Sequence, residues 1–326
     1  LVEIRKRATL EGDGAKTKTA TAAKAVGSKK KTKRATVEVR ADGKKNAEEF
    51  MKRYSDMGID GIKAEYRREI EQYKSPSYGD KAFRANTAKN RHSDPPTCID
   101  DTRVSIPPEK KYINASWMYD QTRIARQYIL TQTPLESTIE DFWRMIFEHK
   151  VICIVILCDK TENEQEVMTE FWPTNNGDFK DYGGMAISNK KVRTCIVQLK
   201  TWDGTFTQST GRNLLKIIRV ISRVQYPTVV VDAAGPVAMM DEYSGISRAS
   251  ILAVVDVMSA LLYKGEKNTT LPDLVKWARR CRNGAIKTED DYVSVIKTIF
   301  EYLHRTNQEK YKDQFEKLCG RAEDLN

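Results

Sequence analysis

The sequence predicts an α/β domain with a central, largely buried β-sheet flanked by α-helices. Three features lead there. Short apolar, β-branched runs at 128–131, 151–158 and 229–231 have the length of strands covered on both faces. Amphipathic helical patterns alternate with them. Beyond residue 250 only helical patterns remain, as when helices close over a finished sheet.

Each element has a local reason. A helix over 46–57 meets Gly58, and a second begins near Asp60 with Ile62, Tyr66, Ile70 and Tyr73 on one face. The polar, proline-containing stretch 90–101 reads as turns, followed by strands at 112–118 and 128–131. Ser137-x-x-Glu140 has capping-box spacing for a helix to about His149. The buried strand 151–158, a Gly-rich hairpin near 177–184 and a strand at 195–199 come next. A helix over 212–224 turns Leu214, Leu215, Ile217, Ile218 and Ile221 to one side. After strand 229–231, a helix from Ser250 to Tyr263 stops at Gly265. Pro272 opens another helix, to Cys281. A long helix from Glu289 and a tail helix ending near Cys319 complete the chain.

Charge is unevenly placed. The net charge of the 326 residues is +10, but residues 1–40 hold 12 Lys/Arg against 4 Asp/Glu, leaving 43 against 41 for the rest. The Lys/Thr/Ala-rich segment 1–45 has little to bury and is expected to be a disordered tail. Its run Lys29 to Arg34 suits a linker, a nuclear signal or an acidic-membrane contact. The folded part, 46–305 with a helical extension at 306–326, lacks the basic excess of a specific nucleic-acid binder. Six cysteines without CxxC spacing read as reduced thiols of a cytoplasmic protein, and three unclustered histidines give no metal site. No run approaches a bilayer span, and the start at Leu1 suggests a piece of a longer chain.

Several motifs occur in a telling order. They are Lys89-Asn-Arg91, Arg103-Val104, Tyr112-Ile-Asn-Ala-Ser116, Tyr128-Ile-Leu-Thr-Gln132, Thr133-Pro-Leu135, Asp141-Phe-Trp143 and Phe171-Trp-Pro173. A strand at 229–231 then leads through a loop to Gly245-Ile-Ser-Arg248 and a helix. Over about 47–305 this order resembles the protein-tyrosine phosphatase family. The resemblance implies a mixed, mostly buried sheet between helices. It also implies a loop whose backbone N–H groups and Arg hold a phosphate while a cysteine thiolate attacks it.

The catalytic positions depart from that pattern. Anchored on the strand, the family's His and Cys fall at Asp232 and Ala233. Anchored on Gly245-x-x-Arg248, they fall at Asp241 and Glu242. Neither register supplies a thiol. In Thr201-Trp-Asp-Gly204 the general-acid position is Gly204, with Asp203 one residue early. The two water-orienting glutamines are Lys287 and Asp291. The insertion spans 233–244. A substitute thiol would have to be Cys195 or Cys281. The resemblance therefore implies a pseudophosphatase with no catalytic residues and no cofactor.

Binding positions are partly kept. Arg248, with Gly245 and Ser247, stands where the phosphate is gripped, unless it is ion-paired within the domain as Arg279 and Arg282 are expected to be. His92 takes the place of the stacking tyrosine with a smaller aromatic face. Asp94 stands where a carboxylate holds the substrate backbone, or is an exposed turn residue. Asp241 and Glu242 would repel a dianion if they faced it. The degree of degeneration is similar to that of nematode oocyte pseudophosphatases. That likeness implies a regulator at the cell cortex that holds a tyrosine-phosphorylated protein, a kinase at its activation loop, and inhibits it by occlusion. The alternatives are a phosphate-independent scaffold and, with least support, an active phosphatase.

Overall fold

The computed structural model describes residues 3–6, 41–76, 79–92, 96–107, 111–119, 127–162, 165–189, 194–200, 202, 205–222, 228–232, 247–265 and 269–321. It opens with β1 (Glu3–Lys6) and α1 (Ala41–Tyr66), continued by a π-helical turn at Arg67–Glu71. Then come α2 (Lys81–Arg84), β2 (Arg103–Ile106), β3 (Lys111–Tyr119), β4 (Gln127–Gln132) and α3 (Ile139–Glu148). The middle of the chain forms β5 (Cys153–Ile156), β6 (Thr161–Glu162), β7 (Gln165–Glu166), β8 (Phe179–Tyr182), β9 (Met185–Ser188) and β10 (Cys195–Gln198). It closes with α4 (Gln208–Ile221), β11 (Thr228–Asp232), α5 (Ser247–Lys264), α6 (Leu271–Cys281), α7 (Glu289–Thr306) and α8 (Gln308–Cys319).

The main sheet has six strands in the order β10-β5-β11-β4-β3-β2. β10, β5, β11 and β4 are parallel, and β3 and β2 add antiparallel. The expected mixed sheet between helices is present. Alternation along each strand divides its core in two. Cys153, Val155 and Val230 face a layer made by α1 and α4 to α8, while Ile154, Ile156, Val229 and Val231 face α3 and its surroundings. Burial on both faces is why these strands read as unbroken apolar runs. Among the described residues no helix is long and apolar enough to cross a membrane.

Several boundaries differ from the sequence expectation. Residues 3–6, read as part of a disordered tail, form β1, which pairs antiparallel with β9 and makes a three-stranded sheet with β8. A charge count over forty residues has no power to detect a four-residue strand whose pairing is made through the backbone. Residues 7–40, with the Lys29 to Arg34 run, lie outside the described residues. α1 starts at Ala41 rather than 46, running through Gly43, where a Cβ would stand 2.3 Å from the Tyr263 carbonyl oxygen. Gly43 marks a close helix–helix approach there, and no helix stop. Gly58 does break α1 as its left-handed φ of 65° requires.

α3 is not entered through a Ser137–Glu140 box. A 3-10 turn at Glu136–Thr138 precedes it, and the Thr138 hydroxyl accepts from the Leu135 N–H at 2.9 Å. Glu140 instead pairs with Arg144 one turn on. α4 starts at Gln208, four residues before the expected 212, because Thr207 caps it by accepting from the Thr210 N–H at 3.1 Å.

Candidate functional site

Parallel strands present their loops at their carboxyl ends, and there Asp232, Glu162, Trp202 and Arg248 gather. β11 ends at Asp232, whose side chain lies on the α5 side, two residues after Val230. Beyond β5 the chain turns through Cys158 into β6, which carries Glu162. Beyond β10 it reaches Trp202. α5 opens at Ser247, so Arg248 stands on its first turn facing all three.

Arg248 is engaged on every side. Its Nε donates to Asp232 Oδ1 at 2.7 Å. Its Nη1 donates to Glu162 Oε1 and to the Trp202 carbonyl, both at 2.7 Å, and its Nη2 to Glu162 Oε2 at 3.2 Å. Asp232 Oδ2 also accepts from the Ala249 N–H at 3.3 Å, at the positive end of α5. The side chains of Arg248 and Asp232 are only 7% and 3% exposed, and that of Glu162 20%. Burial works against the Arg248 charge, but Asp232 and Glu162 outweigh it and hold the guanidinium above its ordinary value. Burial pushes the Asp232 carboxyl up, against the pull of Arg248. With all three ionised, two carboxylates face one guanidinium and the cluster carries a net negative charge.

The neighbouring positions are engaged as well. The Ser247 hydroxyl donates to Asp291 Oδ1 at 2.5 Å, and Asp291 Oδ2 accepts from the Thr288 N–H at 3.0 Å. Asp291 thus caps α7 and tethers the first turn of α5. Lys287 contributes its carbonyl, which accepts from the Tyr66 hydroxyl. Trp202 is a core residue, its indole N–H donating to the Thr205 carbonyl at 2.9 Å.

The segment 89–92 is fixed by neighbours. Lys89 pairs with Asp141 at 2.8 Å, and Arg91 donates to the Thr133 and Pro134 carbonyls at 2.8 and 3.0 Å. Beside them His92 is partly buried, and its Nε2 is buried with no partner among the described residues. Burial, then the Arg91 charge, hold its imidazole below the ordinary range. Arg279, expected in an ion pair, donates to the Ala285 and Ile286 carbonyls at 3.0 Å, to the Ile70 carbonyl and to the Tyr66 hydroxyl. Arg282 donates to Ser116 Oγ at 3.1 Å and Asn114 Oδ1 at 2.9 Å. Ala233, Asp241, Glu242, Gly245, Asp203, Gly204 and Asp94 lie outside the described residues.

Two participants were not visible in the sequence reading. Glu162 lies 86 residues from Arg248 and carries no local signal of its role. Cys158, rather than Cys195 or Cys281, is the thiol set among the charges of Asp232, Arg248, Glu162 and Arg91. Burial pushes that thiol far up, so it is a protonated core group and a poor nucleophile. Among the described residues no group of three or more His, Cys, Asp or Glu side chains is placed to hold a metal ion.

The sequence pattern of the protein-tyrosine phosphatase family matches residues 86–196 and 188–301, well over half of the chain. The chain belongs to the protein-tyrosine phosphatase family. This phosphatase-family domain is 26% identical over 254 residues to a tyrosine phosphatase-like protein J1 of Microplitis demolitor bracovirus, covering 68% of the chain and 83% of that protein. It is 27% identical over 257 residues to the rat tyrosine-protein phosphatase non-receptor type 9, covering 68% of the chain and 42% of that protein. With the rat receptor-type tyrosine-protein phosphatase zeta it shares 28% identity over 217 residues, 59% of the chain and 9% of that protein. The chain therefore spans less than half the length of these last two relatives.

Proposed function

We propose that this phosphatase-family domain is a pseudophosphatase that binds a protein partner without hydrolysing phosphate and without using phosphate as its anchor. The observation that carries the reading is the closed Arg248 cluster. A dianion seated on this guanidinium must displace or share it with Asp232 and Glu162. At about 4 Å each like-charge contact opposes entry by roughly 1–4 kcal/mol, depending on solvent access. Inactivity is supported separately by the sequence. Ala233 or Glu242 cannot attack phosphorus as a thiolate does, Gly204 cannot donate a proton, and Lys287 and Asp291 replace the glutamines.

A second reading keeps the phosphotyrosine. In it the domain covers a tyrosine-phosphorylated partner, such as the activation loop of a kinase, and inhibits it by occlusion. It draws support from Arg248 on the first turn of α5 and from the unpartnered His92 Nε2. Paired pull-downs with one peptide in phosphorylated and unphosphorylated form separate the two readings. Equal capture is expected, and a preference for the phosphorylated form that Arg248→Ala abolishes would establish the second. Turnover of an aryl phosphate by the purified domain, above buffer, would overturn both.

A further inference from the structure

Cys153 and Cys195 stand directly opposite each other on the adjacent parallel strands β5 and β10. Of their in-register neighbours, Val155 belongs to the core on the α1 and α4–α8 face and Val197 packs against that core, so the two thiols project to one side of the sheet. Adjacent strands lie about 4.7–4.9 Å apart, within the roughly 4.4–6.8 Å Cα separation that a disulfide spans. Among the described residues β10 is the edge of the sheet, and Cys195 is only partly buried, whereas Cys153 is inaccessible. One thiol can meet a solution oxidant and the other can meet only its neighbour.

We propose that Cys153 and Cys195 form a redox-responsive pair that closes to a cross-strand disulfide. The Cys195 thiolate attacks one sulfur of glutathione disulfide, forming a mixed disulfide and releasing one glutathione thiolate. Cys153, giving up its proton, then attacks the Cys195 sulfur and releases the second glutathione. The protein loses two electrons and two protons, and glutathione disulfide is reduced to two glutathione molecules. Burial, then the nearby Cys195, push the Cys153 thiol up to about 12, so the closing step is slow and depends on proximity.

The bond would sit behind the Arg248 cluster. β5 continues toward Glu162 and β10 toward Trp202, and both contact Arg248. Closing the pair ties together the two strands that deliver these contacts. Cys319 is the other partly buried cysteine; it lies in α8, and burial pushes its thiol up to about 12.

The test is incubation of the folded chain with glutathione disulfide, followed by intact mass and peptide mapping without reductant. The expected result is a loss of two hydrogens, one linked peptide pair joining Cys153 to Cys195, and a higher thermal midpoint than the reduced protein. Cys195→Ala should abolish the linkage and Cys319→Ala should not. Phenylarsine oxide, which needs two neighbouring thiols, provides a second readout. It should bind one per molecule and be lost in Cys195→Ala, whose fold is checked by circular dichroism. The proposal is overturned if Cys195 stops at the glutathione adduct, if the folded protein stays fully reduced, if Cys153 links elsewhere, or if the arsenical does not bind.

Discussion

The Arg248 Nε–H donates to Asp232 Oδ1 at 2.7 Å, so the last residue of β11 holds the first turn of α5. By the strand-anchored register Asp232 stands where the family has its histidine. The exchange places a second carboxylate on an arginine already shared with Glu162. Arg248 is thus an internal strut between β11, β6 and α5.

The strut has a measurable consequence for stability. Arg248→Met leaves Asp232 and Glu162 without their cation, and breaking a buried pair from one side costs about 3–5 kcal/mol. Arg248→Met with Asp232→Asn should lose less than Arg248→Met alone, since the second change removes a stranded charge. Urea denaturation of the four proteins in this cycle measures the coupling, which should be favourable.

Asp291 completes the cap of α7. Asp291→Gln removes the carboxylate that receives Ser247 and the Thr288 N–H. The domain should lose about 0.5–2 kcal/mol and gain no turnover. Thr288→Ala should cost a similar amount, because the Thr288 hydroxyl accepts from the Asp291 N–H at 3.0 Å in the same motif.

Acid should weaken the packing of α8. His304 of α7 stacks on Phe315 of α8 with ring centroids 4.5 Å apart, and its Nδ1 is buried without a partner among the described residues. Burial lowers its pKa below the ordinary 6.5; Glu301 and Glu316 oppose the shift and Arg305 adds to it. The unfolded chain therefore takes up the proton first as pH falls past that ordinary value, and stability falls with it. Denaturation midpoints at about pH 7.5 and about pH 5.5 should differ, and His304→Phe should narrow the gap. An unchanged gap would remove His304 from the account.

The pairing of β1 with β9 is open to hydrogen exchange. Deleting residues 1–7 removes a backbone partner from Met185–Ser188. Outward-facing amides of β9 should then exchange faster, while those of β11 keep their protection. Equal protection with and without the deletion would show that β1 contributes nothing to this edge.

Much of the architecture could be read from residue pattern, because it depends on local periodicity. The apolar runs at 128–131, 151–158 and 229–231 became β4, β5 and β11, and Gly58, Gly265 and Pro272 fell at a break, an end and a first turn. Legibility failed where a contact joins distant parts of the chain. Gly43 and Gly211 sit inside helices where a Cβ would meet Tyr263 or Phe206, contacts that residue pattern does not show. The motifs brought Arg248 and Asp232 forward as separate positions. Their union with Glu162 and the Trp202 carbonyl needed the sheet to bring three strand ends together. β1 was hidden because a four-residue strand within a basic segment carries no compositional signal.

Isothermal titration with one tyrosine peptide, phosphorylated and not, tests most directly whether Arg248 is closed to phosphate. Equal affinities are expected for the two forms. Asp232→Asn should then admit a preference for the phosphorylated form by freeing one side of the guanidinium. A tenfold or greater preference for the phosphopeptide in the unmodified protein, lost on Arg248→Ala, would contradict the account.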